Sequence, residues 1–301
     1  MSHSMVPMNI VSALVKAEQF LGGDRRWYGM NADQLQFLDA CYAHKDALSK
    51  FSDKELHTWV DTVASRLNAI LKENGFSIEL KDFEPGGFGV VSILDVMVEW
   101  LKEGQKIVIR TEDNVEYPAV RMENYADINA KRTALYSGYT SDSHAMPVAQ
   151  LPTKSGDTLC MTIANKEASG FELMSRIDAI RTSTLKLSAF SRLVFPMVDF
   201  EEKKSLDWLL GLKSMPARGD PHEVAQALQE TKFKMNQFGA RLKDAVAIGM
   251  RMTSAVVRPV PPLVIDKPFY LWIERPGVPV PVMYAYFDEN DWKDPGDLKN
   301  M

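Results

Sequence analysis

The residue texture of this 301-residue chain changes once, at Asn74-Gly75, and that change limits the folds open to it. Ahead of it, apolar residues recur every three or four positions, the spacing of a helix that buries one face. Ile10, Val11, Leu14, Val15, Ala17 and Leu21 form one such stripe, stopped by Gly22-Gly23. Asn31 caps a second helix that runs to Cys41. The third stripe is the clearest. Ser52 with Glu55 three residues on is a capping-box pattern, and Leu56, Trp59, Val60, Val63, Leu67, Ile70 and Leu71 follow on one face. Behind Gly75 the period shortens to two. Phe76 to Phe83 alternates as a half-buried strand, Glu84 to Gly89 is a turn, and Val90 to Trp100 is an apolar run suited to a strand covered on both faces.

Strands then dominate. Lys106 to Arg110 and Val115 to Met122 are two; Met146 to Pro152 and Thr158 to Ile163 form a hairpin across Lys154-Ser-Gly-Asp157. Phe171 to Ile180 is a short amphipathic helix. Leu193 to Phe200 is a strand whose proline places it at an edge or bulge, Lys204 to Leu212 a helix, and Leu228 to Met235 a strand ended by Gly239. Phe269 to Ile273 and Val280 to Phe287 close the series as a hairpin. Helices first and strands later, without an internal repeat or low-complexity linker, read as one α+β domain.

Hydrophobic residues at 46% and charged residues at 25% exclude wholesale disorder. Forty acids against 35 bases leave a formal charge of −5, which argues against a general nucleic-acid binder. Val90 to Leu101 is broken by Ser92, Asp95 and Glu99, and no stretch reaches the roughly 18 apolar residues that a membrane span needs. The N-terminus has no basic start, apolar run and cleavage site, so a cytoplasmic location is expected, or a secreted one where a signal was removed. Two cysteines, Cys41 and Cys160, exclude a disulfide scaffold, and their apolar neighbours point to buried, inert thiols.

Motifs that carry chemistry are scarce. His57 and Asp61, at helical i, i+4 spacing, offer two ligands where zinc takes three or four, so a solvated helix face is the reading. Gly86-Gly87-Phe88-Gly89 precedes a strand, whereas a dinucleotide fingerprint follows one. Arg218-Gly219-Asp220 spells an adhesion tripeptide of a length that chance produces often. Arg25-Arg26-Trp27-Tyr28 is a weak basic patch in an acidic chain and reads as a folded corner. No nucleophile, base and oxyanion hole come together, so neither an enzyme nor a cofactor is expected.

Gly239 to Pro262 stands apart. It is rich in alanine and valine, lies between two strand-like segments, and leaves through Pro259, Pro261 and Pro262, which force an extended exit. A loop of this length inside a compact domain is usually functional. A plain helix from Arg241 to Met252 fits the composition equally well.

The order of these late segments resembles the serpin family. Pro261 to Ile273 looks like the stretch that follows a serpin reactive loop, and Gln229 to Gly239 like the strand that leads into it. Val194 to Phe200 followed by Ser205 to Leu212, Gln150 to Ile163, and Val90 to Trp100 are similar, in the same order, to further core segments of that family. The resemblance implies a shortened serpin-like α+β domain with a large mixed β-sheet, smaller antiparallel sheets and a reduced set of N-terminal helices. Residues 8–87 would be mainly helical, 88–287 the sheet-rich core with its loop at 239–262, and 288–301 a tail that departs from the family. Either Trp59-Val60 belongs to the helix that crosses the main sheet, or Leu38 to Lys45 and Phe76 to Phe83 are sheet strands and that helix is lost.

The same resemblance implies a mechanism. A protease cuts the loop, and the freed segment enters the main sheet as a strand, releasing a metastable fold. Gly239 and Ala240 match the hinge, with Leu242 and Asp244 among the inward-facing positions of an inserted strand. Counting from Gly239 puts the cut at Thr253-Ser254, with Arg251 and Met252 as alternatives just upstream. Burying Asp244 unpaired would cost several kcal/mol, roughly, so the hinge is poor for trapping. Two functions follow: inhibition of a serine or cysteine protease, or a non-inhibitory binding role, such as that of a viral or host modulator. The implied partner is a protease or another protein.

Overall fold

The computed structural model describes residues 1–23, 25–123, 137–183, 185–188, 190–216, 220–240 and 262–298. Its centre is a seven-stranded antiparallel sheet. In spatial order the strands are His3–Met5, Met283–Phe287, Phe269–Glu274, Thr158–Ile163, His144–Pro152, Ser137–Ser141 and Leu185–Ser188. The continuous apolar run of its middle strands is explained by cover on both faces: Phe269 to Ile273 and all of Met283–Phe287 are buried. Tyr284 faces the helix Gly170–Thr182 and donates its hydroxyl to Asp178, while Phe287 packs on the other side against Phe200 and Phe233 at 5.2 and 5.3 Å. Both expected hairpins are present, with Cys160 opposite Gln150 and Tyr270 opposite Tyr286.

A four-stranded sheet, in the order Leu263–Val264, Arg192–Pro196, Glu116–Glu123 and Gln105–Arg110, lies at one end. Its first pair is parallel. The strand expected over Leu193 to Phe200 is cut in two at Met197, just after a proline that has no N–H to give a ladder. Arg192–Pro196 joins the four-stranded sheet, and Val198–Ser205 pairs with Leu228–Met235. That ladder extends through Ser205, so the helix expected over Lys204 to Leu212 shrinks to one turn, Asp207–Leu209.

The helix Pro7–Phe20 and the Asn31-capped helix Ala32–Ala40 are as expected, Asn31 Oδ1 accepting from the Gln34 amide at 2.8 Å. The third stripe is not one helix. Ser52 donates both its amide and its hydroxyl to Glu55 Oε2, each at 2.9 Å, but the chain then runs as the strand Leu56–Asp61, and the helix is confined to Ala64–Glu73. His-Thr-Trp-Val is β-branched and aromatic, and its ladder with Gly89–Leu94 outweighs the helical spacing. Glu55 also serves a distant partner: Arg275, whose side chain is 9% exposed, binds Asp157 through two nitrogens and Glu55 at 2.7 Å and lies over the Phe51 ring. Arg25–Tyr28, read as a corner, is a strand paired with Lys213–Pro216.

Two expected strands are corrected as well. Val90 to Trp100 is broken into Gly89–Leu94 and Val98–Glu99, and its burial alternates instead of covering both faces. Phe76 to Phe83 belongs to no ladder among the described residues; side chains take several of its backbone hydrogen bonds instead.

Candidate functional site: a groove between two ladders and its hinge glycine

The first ladder, Leu56–Asp61 with Gly89–Leu94, and the second, Val198–Ser205 with Leu228–Met235, flank a groove of about 1230 Å3. Leu14, Trp59, Leu71, Ile78, Val91 and Phe233 help to make its lining largely apolar. Gly89–Leu94 and Leu228–Met235 both line it, and each has a ladder partner on one side only among the described residues. A strand edge without a neighbour presents free N–H and C=O groups, the chemistry that an extended chain satisfies. Beside the groove runs a polar line, Ser12 Oγ to Thr58 Oγ1 at 2.6 Å and on to Ser92 Oγ at 3.2 Å. Asn9 Oδ1 and Gln229 Oε1 line it without a hydrogen-bond partner, two buried acceptors with capacity to spare.

Residues 75–83 form a strap from the helix Ala64–Glu73 to the second ladder. Side chains stand in for a neighbouring strand. Asn68 pairs with both the N–H and the C=O of Leu80, and Gln226 does the same for Lys81, at 2.8–3.0 Å. Glu230 Oε2 accepts from the Ser77 and Ile78 amides at 2.8 and 3.0 Å, and Lys232 donates to the Gly75 carbonyl. Burial pushes the Glu230 carboxyl up, but those two amides and the Lys232 ammonium outweigh it and hold it below its ordinary value. Nothing in the local sequence marks Asn68, Gln226 or Glu230, since each acts on backbone brought close by the fold. The strap's Phe76, Ile78, Leu80 and Phe83 pack with Leu67, Leu71, Val91 and Ile93 in a small core separate from the main one.

At the end of Leu228–Met235 the chain reverses through Gln237-Phe238, with Asn236 and Gly239 exchanging backbone hydrogen bonds at 3.1 and 3.4 Å. Gly239–Ala240 then pairs antiparallel with Val98–Glu99. Gly239 has φ +131°, and a Cβ there would lie 2.6 Å from the Val98 carbonyl oxygen and 2.7 Å from Glu99 Cα. Only glycine fits. Trp100, 2% exposed, supports the turn from below by donating Nε1 to the Asn236 carbonyl at 2.9 Å. Val98 also lines the groove, which sets the Gly239–Ala240 pairing beside the groove's rim. The far side of that segment is anchored elsewhere, Leu263–Val264 on Arg192–Pro196.

Of the residues singled out in sequence, Gly239 and Ala240 are thus placed in the short pairing with Val98–Glu99. Leu242, Asp244, Arg251, Met252, Thr253 and Ser254 lie outside the described residues, as do Arg218 and Gly219. His57 and Asp61 sit on a strand, His57 stacked on Trp59 at 5.4 Å, and no metal-ligating cluster occurs among the described residues. Cys41 and Cys160 are buried and free; burial pushes the Cys41 thiol up to about 12. Among the described residues, no helix is long and apolar enough to cross a membrane.

No family model and no curated protein matches the sequence. Solved structures do match the fold. Serpin48 of the insect Tenebrio molitor is 14% identical, with a TM-score of 0.54 over 95% of this chain and 90% of that one. The thermophilic serpin tengpin in its native state is 11% identical, with a TM-score of 0.56 over 96% and 88%. Native protease nexin-1, solved with heparin, is 10% identical, with a TM-score of 0.51 over 94% and 98%. At such identities the likeness speaks for architecture alone, and on that point it agrees with the ordered segments read from the sequence: the chain has a serpin-like α+β fold.

Proposed function

We propose that the protein inhibits a serine or cysteine protease, with the segment beyond Ala240 as bait. The protease nucleophile attacks the Thr253 carbonyl, the Ser254 amine leaves, and the acyl-linked segment enters the groove as a new strand. Arg251 and Met252 are the alternative sites of attack. One observation carries this reading: Gly239–Ala240 pairs at the rim of a groove whose two walls are strands with an open edge among the described residues. An extended segment entering there would pair both edges and cover apolar side chains, gains that favour the inserted state. Asp244 opposes it, because it would face inward.

Incubation with a panel of serine and cysteine proteases tests the reading. A denaturant-resistant complex at equimolar protease is expected, together with a higher melting temperature for the chain cut at the loop. Cleavage without complex and without a thermal rise would reject inhibition and leave a non-inhibitory binding protein.

A further inference from the structure

The turn at Gln237-Phe238 is held from two directions. From the segment that follows Val98–Glu99, the Gly104 amide donates to the Gln237 carbonyl at 2.8 Å and the Trp100 amide to the Phe238 carbonyl at 3.4 Å. From the opposite direction comes the segment that follows the last strand of the main sheet. Trp292, 2% exposed, is set between Tyr117 of the four-stranded sheet and Phe269 of the main sheet, with ring centroids 5.2 and 6.3 Å away. Two residues on, Asp294 pairs with Lys106, and its Oδ1 accepts from the Gly296 amide at 3.0 Å. That closes a turn in which Gly296 has φ +66°. The Gly296 carbonyl, so oriented, accepts from Asn236 Nδ2 at 3.0 Å. Asn236, 2% exposed, uses its other side-chain atom, Oδ1, to accept from the Phe238 amide at 2.9 Å.

The Asn236 side chain therefore joins the tail to the reversal before Gly239. The two sets of holds come from different parts of the chain. Trp100 and Gly104 lie between Val98–Glu99 and Gln105–Arg110. Trp292 and Asp294 come from the tail, fixed to Tyr117, Phe269 and Lys106.

We propose that residues 292–298 act as a latch that holds the hinge turn to the main body of the fold and limits how often the turn opens. The path runs from Lys106 through Asp294, Gly296 and Asn236 to Phe238. Releasing it leaves the Trp100 and Gly104 holds in place and lets Gly239–Ala240 separate from Val98–Glu99 more often. The effect on protease trapping rests on the function proposed above, but the latch itself does not.

Hydrogen–deuterium exchange on Asp294→Ala and Asn236→Asp tests it. Asp294 is partly exposed, so its loss should leave the fold intact. Asn236→Asp keeps the oxygen that takes the Phe238 amide and replaces the donor to Gly296 with an acceptor. Both variants should exchange about tenfold faster in peptides covering 236–240 and 98–104, with 158–163 unchanged, as expected for a local opening. Unchanged exchange at the hinge in either variant would overturn the latch. So would acceleration spread equally over 158–163, which marks a global loss of stability. If the wild-type protein traps no protease while hinge exchange responds as expected, the inhibitory reading fails and the latch stands.

Discussion

The seven-stranded sheet and the paired ladders across the groove are built from the same kinds of residue and reach opposite ends. In the sheet, Trp272 and Tyr270 are buried with strands on both sides, and helix and ladder side chains cover both faces. In the groove, Val91 and Ile93 share a small separate core with the strap, and the strands Gly89–Leu94 and Leu228–Met235 each keep an open edge among the described residues. The first region has every reason to stay as it is. The second combines two two-stranded ladders with a strap held by side-chain hydrogen bonds, and strands whose pairing is incomplete are where local opening is expected.

Substitutions should separate the two regions, and the largest effect belongs to the sheet. Trp272→Ala removes a side chain with no exposed surface and is expected to cost about 3–5 kcal/mol, read by urea unfolding, whereas Trp59→Ala at the groove should cost well under half of that. Equal losses would mean that the groove is packed as tightly as the sheet.

Next is the Arg275 cluster, which joins the regions. Arg275→Met leaves Asp157 and Glu55 without their cation and should cost about 3 kcal/mol at neutral pH. Burial raises the Glu55 carboxyl, but Arg275 and the Ser52 hydrogen bonds more than reverse this, so it titrates below its ordinary value in the folded protein. A carboxyl lowered on folding stabilises fully above its unfolded pKa, about 4.3, and loses that contribution as the pH falls through the folded value. The gap between wild type and Arg275→Met in melting temperature should therefore narrow in acid. A constant gap from neutral pH to pH 3 would remove Glu55 from the account.

Gly239→Ala sets a Cβ against the Val98 carbonyl and should cost about 1–3 kcal/mol, with exchange rising at the hinge and not in the main sheet. The smallest effect is expected from Glu230→Gln, which weakens the strap by about 1 kcal/mol. It should speed proteolysis within 75–83 and leave the urea midpoint nearly unchanged. A large shift of the midpoint would make the strap part of the cooperative core.

The sheet was legible in sequence because its signals are local. Phe269 to Ile273 is an uninterrupted apolar run and Thr158 to Ile163 one broken only by threonine, both bounded by turns, and burial on both faces produces that pattern. The groove was legible only in outline. Gly239 could be picked out because a glycine ends an alternating strand, and the close approach of Val98 and Glu99 explains why it is glycine. The strap misled, since Phe76, Ile78, Leu80 and Phe83 alternate like a strand while the groups that pair with their backbone, Asn68, Gln226 and Glu230, come from elsewhere in the chain. The stretch from Leu56 to Leu71 misled for another reason. Strand and helix follow each other so closely that their apolar positions merge into one helical stripe.

The parallel pairing of Leu263 with Leu193 has a consequence for a nicked molecule. Everything C-terminal to a break between Ala240 and Leu263 is woven in independently: Leu263–Val264 at one end, then Phe269–Glu274 and Met283–Phe287 in the middle of the largest sheet. The two polypeptides should therefore stay together after a cut and part only on denaturation, so that the shorter piece behaves as a tightly bound subunit.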